Sequence, residues 1–86
     1  MARREWNDEG ALFEMDSDRM TDFLRDNLGL YYCDDCLYEE TRVKSVRRAN
    51  YIRRRLLTYS SNYQHETTCD CCGRNKESIA FLGRTN

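Results

Sequence analysis

Two Cys-x-x-Cys pairs, Cys33-Asp34-Asp35-Cys36 and Cys69-Asp70-Cys71-Cys72, constrain this chain more than any other feature, because 32 residues separate them in a total of 86. One tight loop of this kind grips a metal with two thiolates. Two such loops complete the tetrahedral four-thiolate shell that holds structural zinc. With 34% charged residues and a mean hydropathy of -0.92, a chain this short builds only a thin core. Cores below roughly 70–80 ordered residues seldom supply more than ~3–5 kcal/mol, whereas structural zinc contributes ~10–16 kcal/mol of apparent binding free energy in small peptides.

Disulfides are the competing staple, but five cysteines are an odd number. The opening residues, Met1-Ala2-Arg3-Arg4-Glu5-Trp6-Asn7-Asp8, lack the apolar run of a secretory leader. The expectation is a cytoplasmic, reduced chain with one structural Zn2+ on Cys33, Cys36, Cys69 and Cys72, and with no membrane span, since its apolar runs are only a few residues long. Cys71 lies too close to Cys69 for the usual two-residue grip and reads as a surplus free thiol. His65 reads as a surface or hairpin residue. Four thiolates close the shell to water and substrate, so neither an enzyme nor a small-molecule substrate is expected. A thioredoxin-like use of Cys33 and Cys36 would require a βαβ context that the sequence lacks.

The net charge of -1 conceals a strong polarity. Residues 1–40 carry twelve acids against four bases, residues 41–65 carry seven bases and no acid, and residues 66–86 carry three of each. A basic block set in acidic sequence points to one face that meets an anion.

Residues 1–16 show no clean period and read as a flexible arm; residues 17–82 read as the domain, and 83–86 as a disordered tail. Met20, Phe23, Leu24 and Leu28 follow helical spacing, with Asp16 or Ser17 as cap and Gly29 as terminator, which predicts a helix over 17–28. Leu30-Tyr31-Tyr32 reads as an extended link. Asp34 and Asp35 suit the positive N-terminal end of a second helix. No Gly or Pro interrupts 37–59, so one long helix fits the pattern, but the β-branched Thr41 and Val43 and the capping residue Ser45 favour a turn between two helices. On a helical wheel from Ser45, Val46, Ala49, Ile52, Leu56 and Leu57 share one side with Arg53 at its margin; Lys44, Arg47, Arg48, Tyr51, Arg54 and Arg55 share the other. Residues 60–68 are turn formers followed by a polar, β-compatible run, and Ser78-Ile79-Ala80-Phe81-Leu82 reads as the return strand of a hairpin tipped by the second cysteine pair.

The run Tyr32-Cys33-Asp34-Asp35-Cys36-Leu37, then Val46-x-x-Ala49-Asn50 and Leu56, then Cys69-x-x-Cys72-Gly73-Arg74-x-Lys76 and Ile79, resembles small prokaryotic zinc-containing helix-turn-helix domains with a winged-helix look. The resemblance covers about residues 18–82. It implies an α+β, three-helix, winged-helix-like domain in which Cys33 opens the second helix, Ser45–Thr58 is the recognition helix and the cysteine-tipped hairpin is the wing. At the turn this chain has Arg42 where such domains often carry Gly.

Two functions follow as expectations. The first is a transcription-related module that binds double-stranded DNA through Lys44, Arg47, Arg48, Asn50, Tyr51, Arg54 and Arg55, the cations reaching phosphates and Asn50 or Arg47 reaching base edges. The second is a zinc-stapled adaptor whose cationic helix meets an acidic protein or the acidic first half of a second copy.

Overall fold

The three-to-four spacing of Met20, Phe23 and Leu24 does produce a helix: in the computed structural model, which describes residues 15–83, the chain is helical over 15–26 (α1). The helix takes in Met15 and Asp16, which the sequence reading placed in the arm. The rest of that arm, 1–14, and residues 84–86 lie outside the described residues. The Asn27 N–H closes on the carbonyls of Phe23 and Leu24 at 3.1 and 3.2 Å, and Gly29 takes φ +82°. Leu28, expected on the apolar stripe, falls beyond the last helical turn and is exposed.

Five elements follow: β1 (Tyr32–Cys33), α2 (Asp34–Thr41), α3 (Val46–Tyr59), β2 (Tyr63–Glu66) and β3 (Ser78–Phe81). The segment 37–59 is two helices. Arg42 adopts a left-handed conformation (φ 61°, ψ 33°) and its N–H bonds the Tyr38 carbonyl at 3.0 Å, ending α2. Val43 then drops into the core at 2% exposure, and the Ser45 hydroxyl caps α3 by accepting the Arg48 N–H at 3.0 Å.

The sheet has order β1-β3-β2 and is antiparallel throughout, with Tyr32 opposite Ile79, Cys33 opposite Ser78, and Tyr63 opposite Phe81. Packed on it, Met20, Leu24, Leu37, Val43, Ala49, Ile52 and Ile79 form one apolar cluster that also contains Cys33, Cys36 and Cys69. Phe23 and Tyr32 meet edge to face with ring centres 4.8 Å apart, and Tyr63 and Phe81 do so at 5.2 Å. The result is an α+β domain with three helices and a C-terminal hairpin. No helix among the described residues is long and apolar enough to cross a membrane.

Two residues of α3 depart from the helical wheel. Ala49 and Ile52 are buried and Leu56 and Leu57 half-buried as expected, but Val46 is exposed and Arg53 is only 4% exposed. The buried arginine is tolerated because a carboxylate from another element meets it.

Candidate metal centre

Cys33 ends β1 and forms the N-cap of α2, so the pairing of Cys33 with Ser78 fixes its backbone; Cys36 lies in the first turn of the helix that Cys33 opens. Cys69 and Cys72 sit in the loop between β2 and β3. This loop is folded by its own backbone: the Gly73 N–H bonds the Cys69 carbonyl at 2.8 Å and the Cys69 N–H bonds the Arg74 carbonyl at 3.0 Å. Gly73 has φ +75° with no atom within 4 Å of the place a Cβ would occupy, so backbone conformation alone calls for glycine there. Asp70 stitches the loop to the residue before β1, its N–H donating to the Tyr31 carbonyl at 2.7 Å and its carboxylate accepting the Tyr31 N–H at 2.9 Å.

These constraints bring four sulfurs together. The Sγ atoms of Cys33, Cys36, Cys69 and Cys72 all lie within 4.8 Å of one another. A tetrahedral ion with metal–sulfur bonds of ~2.3 Å requires sulfur–sulfur edges of about 3.8 Å. Two edges have that length already, Cys33 to Cys72 at 3.9 Å and Cys36 to Cys69 at 3.7 Å. An all-sulfur tetrahedral donor set suits zinc, and four protein ligands leave no open position, so the cluster is consistent with one structural Zn2+ per chain. His65 is exposed on β2, and neither it nor Cys71 belongs to the group of four.

Burial pushes the Cys36 thiol far up and raises that of Cys33 as well. Burial acts the same way on Cys69, but backbone N–H groups of Cys72, Cys33 and Cys71 directed at its sulfur outweigh it and bring this thiol down to about 6. One of these donors is the Cys33 N–H, 3.3 Å from the Cys69 sulfur. Lys76 approaches from the loop and bonds the Asp35 carboxylate, which raises the pKa of the lysine. The Lys76 ammonium thus stands beside Asp35, the residue before the ligand Cys36.

A second set of contacts joins the centre to α3. Asp34, next to Cys33, accepts the Arg53 Nε–H at 2.7 Å and the Asn50 amide at 2.9 Å, while Arg53 also faces Glu77 at 3.4 Å. On the opposite side Asp16, itself 7% exposed, accepts the Arg48 guanidinium at 2.9 Å and the Lys44 backbone N–H at 3.0 Å. Of the seven basic-face residues named from sequence, Lys44, Arg47, Tyr51, Arg54 and Arg55 are exposed, whereas Arg48 and Asn50 are half-buried and engaged with Asp16 and Asp34. Arg55 lies over the rings of Tyr51 and Tyr59, at 5.8 and 5.2 Å. Sequence reasoning missed the roles of Asp16, Asp34, Asp70 and the buried Arg53. The only signal for them was Arg53 at the edge of an apolar stripe.

No family model, curated protein or solved structure matches the chain.

Proposed function

We propose that this is a DNA-binding module of the helix-turn-helix kind, transcription-related, in which α3 enters the major groove and the zinc-held hairpin serves as the wing. The observation that carries the reading is the outer face of α3, where Arg47, Arg54 and Arg55 are exposed on a helix that contains no acid. The carboxylates of Asp16 and Asp34 meet the inward-lying Arg48 and Arg53. A helix about 10–12 Å across matches a major groove about 12 Å wide, and its 14 residues give α3 about 21 Å of length to lie along it. The role proposed is binding, with no catalytic step and no small-molecule substrate.

Titration of metal-loaded protein against random duplex DNA at several salt concentrations tests the proposal. Log affinity should fall linearly with log salt, and a variant with Arg47, Arg54 and Arg55 replaced by Ala should lose about 0.9 in slope for each phosphate contact removed. Arg48 is left in place because it holds Asp16. Equal binding by the triple variant would sink the idea.

One observation favours a second reading. Tyr51 and Tyr59 are 51% and 75% exposed on either side of Arg55, a Tyr and Arg grouping typical of protein interface anchors. Asp18, Asp22 and Asp26 are exposed at four-residue intervals along α1, a surface that a second copy or another acidic partner would offer to it. Failure to bind duplex at low salt, together with a sedimentation mass that grows with concentration, would assign the domain to this adaptor class.

A further inference from the structure

α3 carries five arginines, and the fold commits three of them. Arg48 bonds Asp16 at 2.9 Å, Arg53 bonds Asp34 at 2.7 Å, and Arg55 lies over the rings of Tyr51 and Tyr59. Arg47 and Arg54 are exposed, and among the described residues neither side chain has a hydrogen bond, ion pair or ring contact. The spacing also offered Asn50 for base edges, but its amide donates to Asp34 at 2.9 Å. On the helix, Arg48 stands about 100° to one side of Arg47 and Arg53 about 120° to the other. The two buried carboxylate contacts thus fix the roll of α3 from both flanks and turn the edge that bears Arg47 and Arg54 outward. Seven residues of helix turn through about 700°, which is two turns less about 20°, and rise about 10.5 Å. The two uncommitted guanidinium groups therefore leave one face of α3 two turns apart, with the exposed Tyr51 between them.

We infer that Arg47 and Arg54 are the specificity-determining residues of α3, each reading one guanine in the major groove, so that the domain selects duplexes with two G·C pairs two or three base-pair steps apart. Guanine is the base that presents two adjacent acceptors there, O6 and N7, and the planar fork of arginine donates to both at once. Adenine would turn an amino donor toward the same fork. The spacing follows from length: bases stack about 3.4 Å apart, so about 10.5 Å of helix laid along the groove reaches three steps, and laid obliquely it reaches two. Arg55, at the side of this face and held against its two tyrosines, meets phosphate. On duplexes without such a pair of guanines, Arg47 and Arg54 also settle on phosphates, so their removal lowers the salt dependence on random DNA as well. This assignment rests on the DNA-binding reading of α3 and adds to it which bases are read and by which residues.

Selection of bound duplexes from a fully randomised library by the metal-loaded full chain tests it. The enriched sites should share two G·C pairs at one fixed separation of two or three steps. On the best of these duplexes R47A and R54A should each bind about 5- to 150-fold more weakly, and each should lose its preference at a different one of the two pairs. Both side chains are exposed and bond nothing among the described residues, so the variants keep the fold. R55A should instead weaken selected and unselected duplexes alike and reduce the salt slope by about 1. Absence of enrichment, enriched sites without the guanine pair, or R47A and R54A chains that weaken every duplex equally would overturn the inference while leaving salt-dependent binding in place. Failure of the unmodified chain to bind any duplex at low salt would refute the DNA-binding reading itself, and the inference with it.

Discussion

The two cysteine pairs reach one centre from unlike surroundings. Cys33 and Cys36 belong to regular structure: one is paired to β3, both are buried, and the turn of α2 between them is extended into the domain by Asp34, which grips α3. Cys69 and Cys72 belong to a loop that owes its shape to a few backbone bonds, to Asp70 and to Gly73. The difference teaches that regular structure fixes one half of the site, while the other half rests on a few loop contacts and has more to gain from a bound ion. Ligand sets of this kind bind with a free energy larger than a small core supplies, so the loop half depends on the ion most.

The largest effect should therefore come from removing the metal. After chelation, the amides of Cys69 and Gly73 should exchange with solvent first, while amides around Leu37 and Ala49 in the apolar cluster remain protected longer. Simultaneous loss of protection in both halves would break the distinction. Replacing Cys69 with Ser should have the same consequence at a cost of several kcal/mol, within the ~10–16 kcal/mol of a whole structural site. Acid acts in the same direction. Metal binding needs thiolates, and burial holds Cys36 and Cys33 above the ordinary thiol value, so protons compete hardest at the buried pair and the ion is released as pH falls.

The next effect probes the link from the first pair to α3. Asp34→Ala leaves Arg53, 4% exposed, with Glu77 at 3.4 Å as its remaining ion-pair partner among the described residues, and that glutamate side chain is 66% exposed. Removing one member of such a pair should cost about 3 kcal/mol, or roughly 10–20 °C in Tm for a domain of this size. Because Asp34 is outside the ligand set, the variant should still bind one metal per chain. Lost stability with intact metal stoichiometry would identify Asp34 as a coupling between the clasp and the helix. A Tm close to that of the unmodified chain would show that the two regions are held independently.

What could be read in the sequence was what is local. Chelation by Cys-x-x-Cys works within four residues, and Ser45 bonds an amide three residues on, so both features showed in the spacing. The hairpin strands and the break between α2 and α3 were readable for the same reason. By contrast, β1 is two residues long and offers no alternation to detect; it exists because β3 pairs with it from 45 and 47 positions away, Cys33 lying opposite Ser78 and Tyr32 opposite Ile79. The burial of Arg53 depends on a carboxylate 19 residues upstream, and that of Asp16 on Arg48 32 residues downstream. These are tertiary compensations, and a helical wheel assigns a charged residue to solvent unless its partner is already known.

The smallest effect lies at the turn between α2 and α3, where the two halves of the molecule are joined. Arg42 stands at φ 61°, ψ 33°, a conformation that costs a residue with a side chain roughly 1–2 kcal/mol. Arg42→Gly relieves that cost but gives the unfolded chain more freedom, worth about 0.4–1 kcal/mol against folding. The carbonyl that accepts the Arg19 guanidinium at 3.1 Å and the amide that bonds Tyr38 at 3.0 Å are backbone groups and survive the change. The balance is a gain of about 0.5 kcal/mol, or ~2–4 °C in Tm for the metal-loaded protein. A lower Tm would mean that the Arg42 side chain contributes more to joining the two helices than its strained backbone costs.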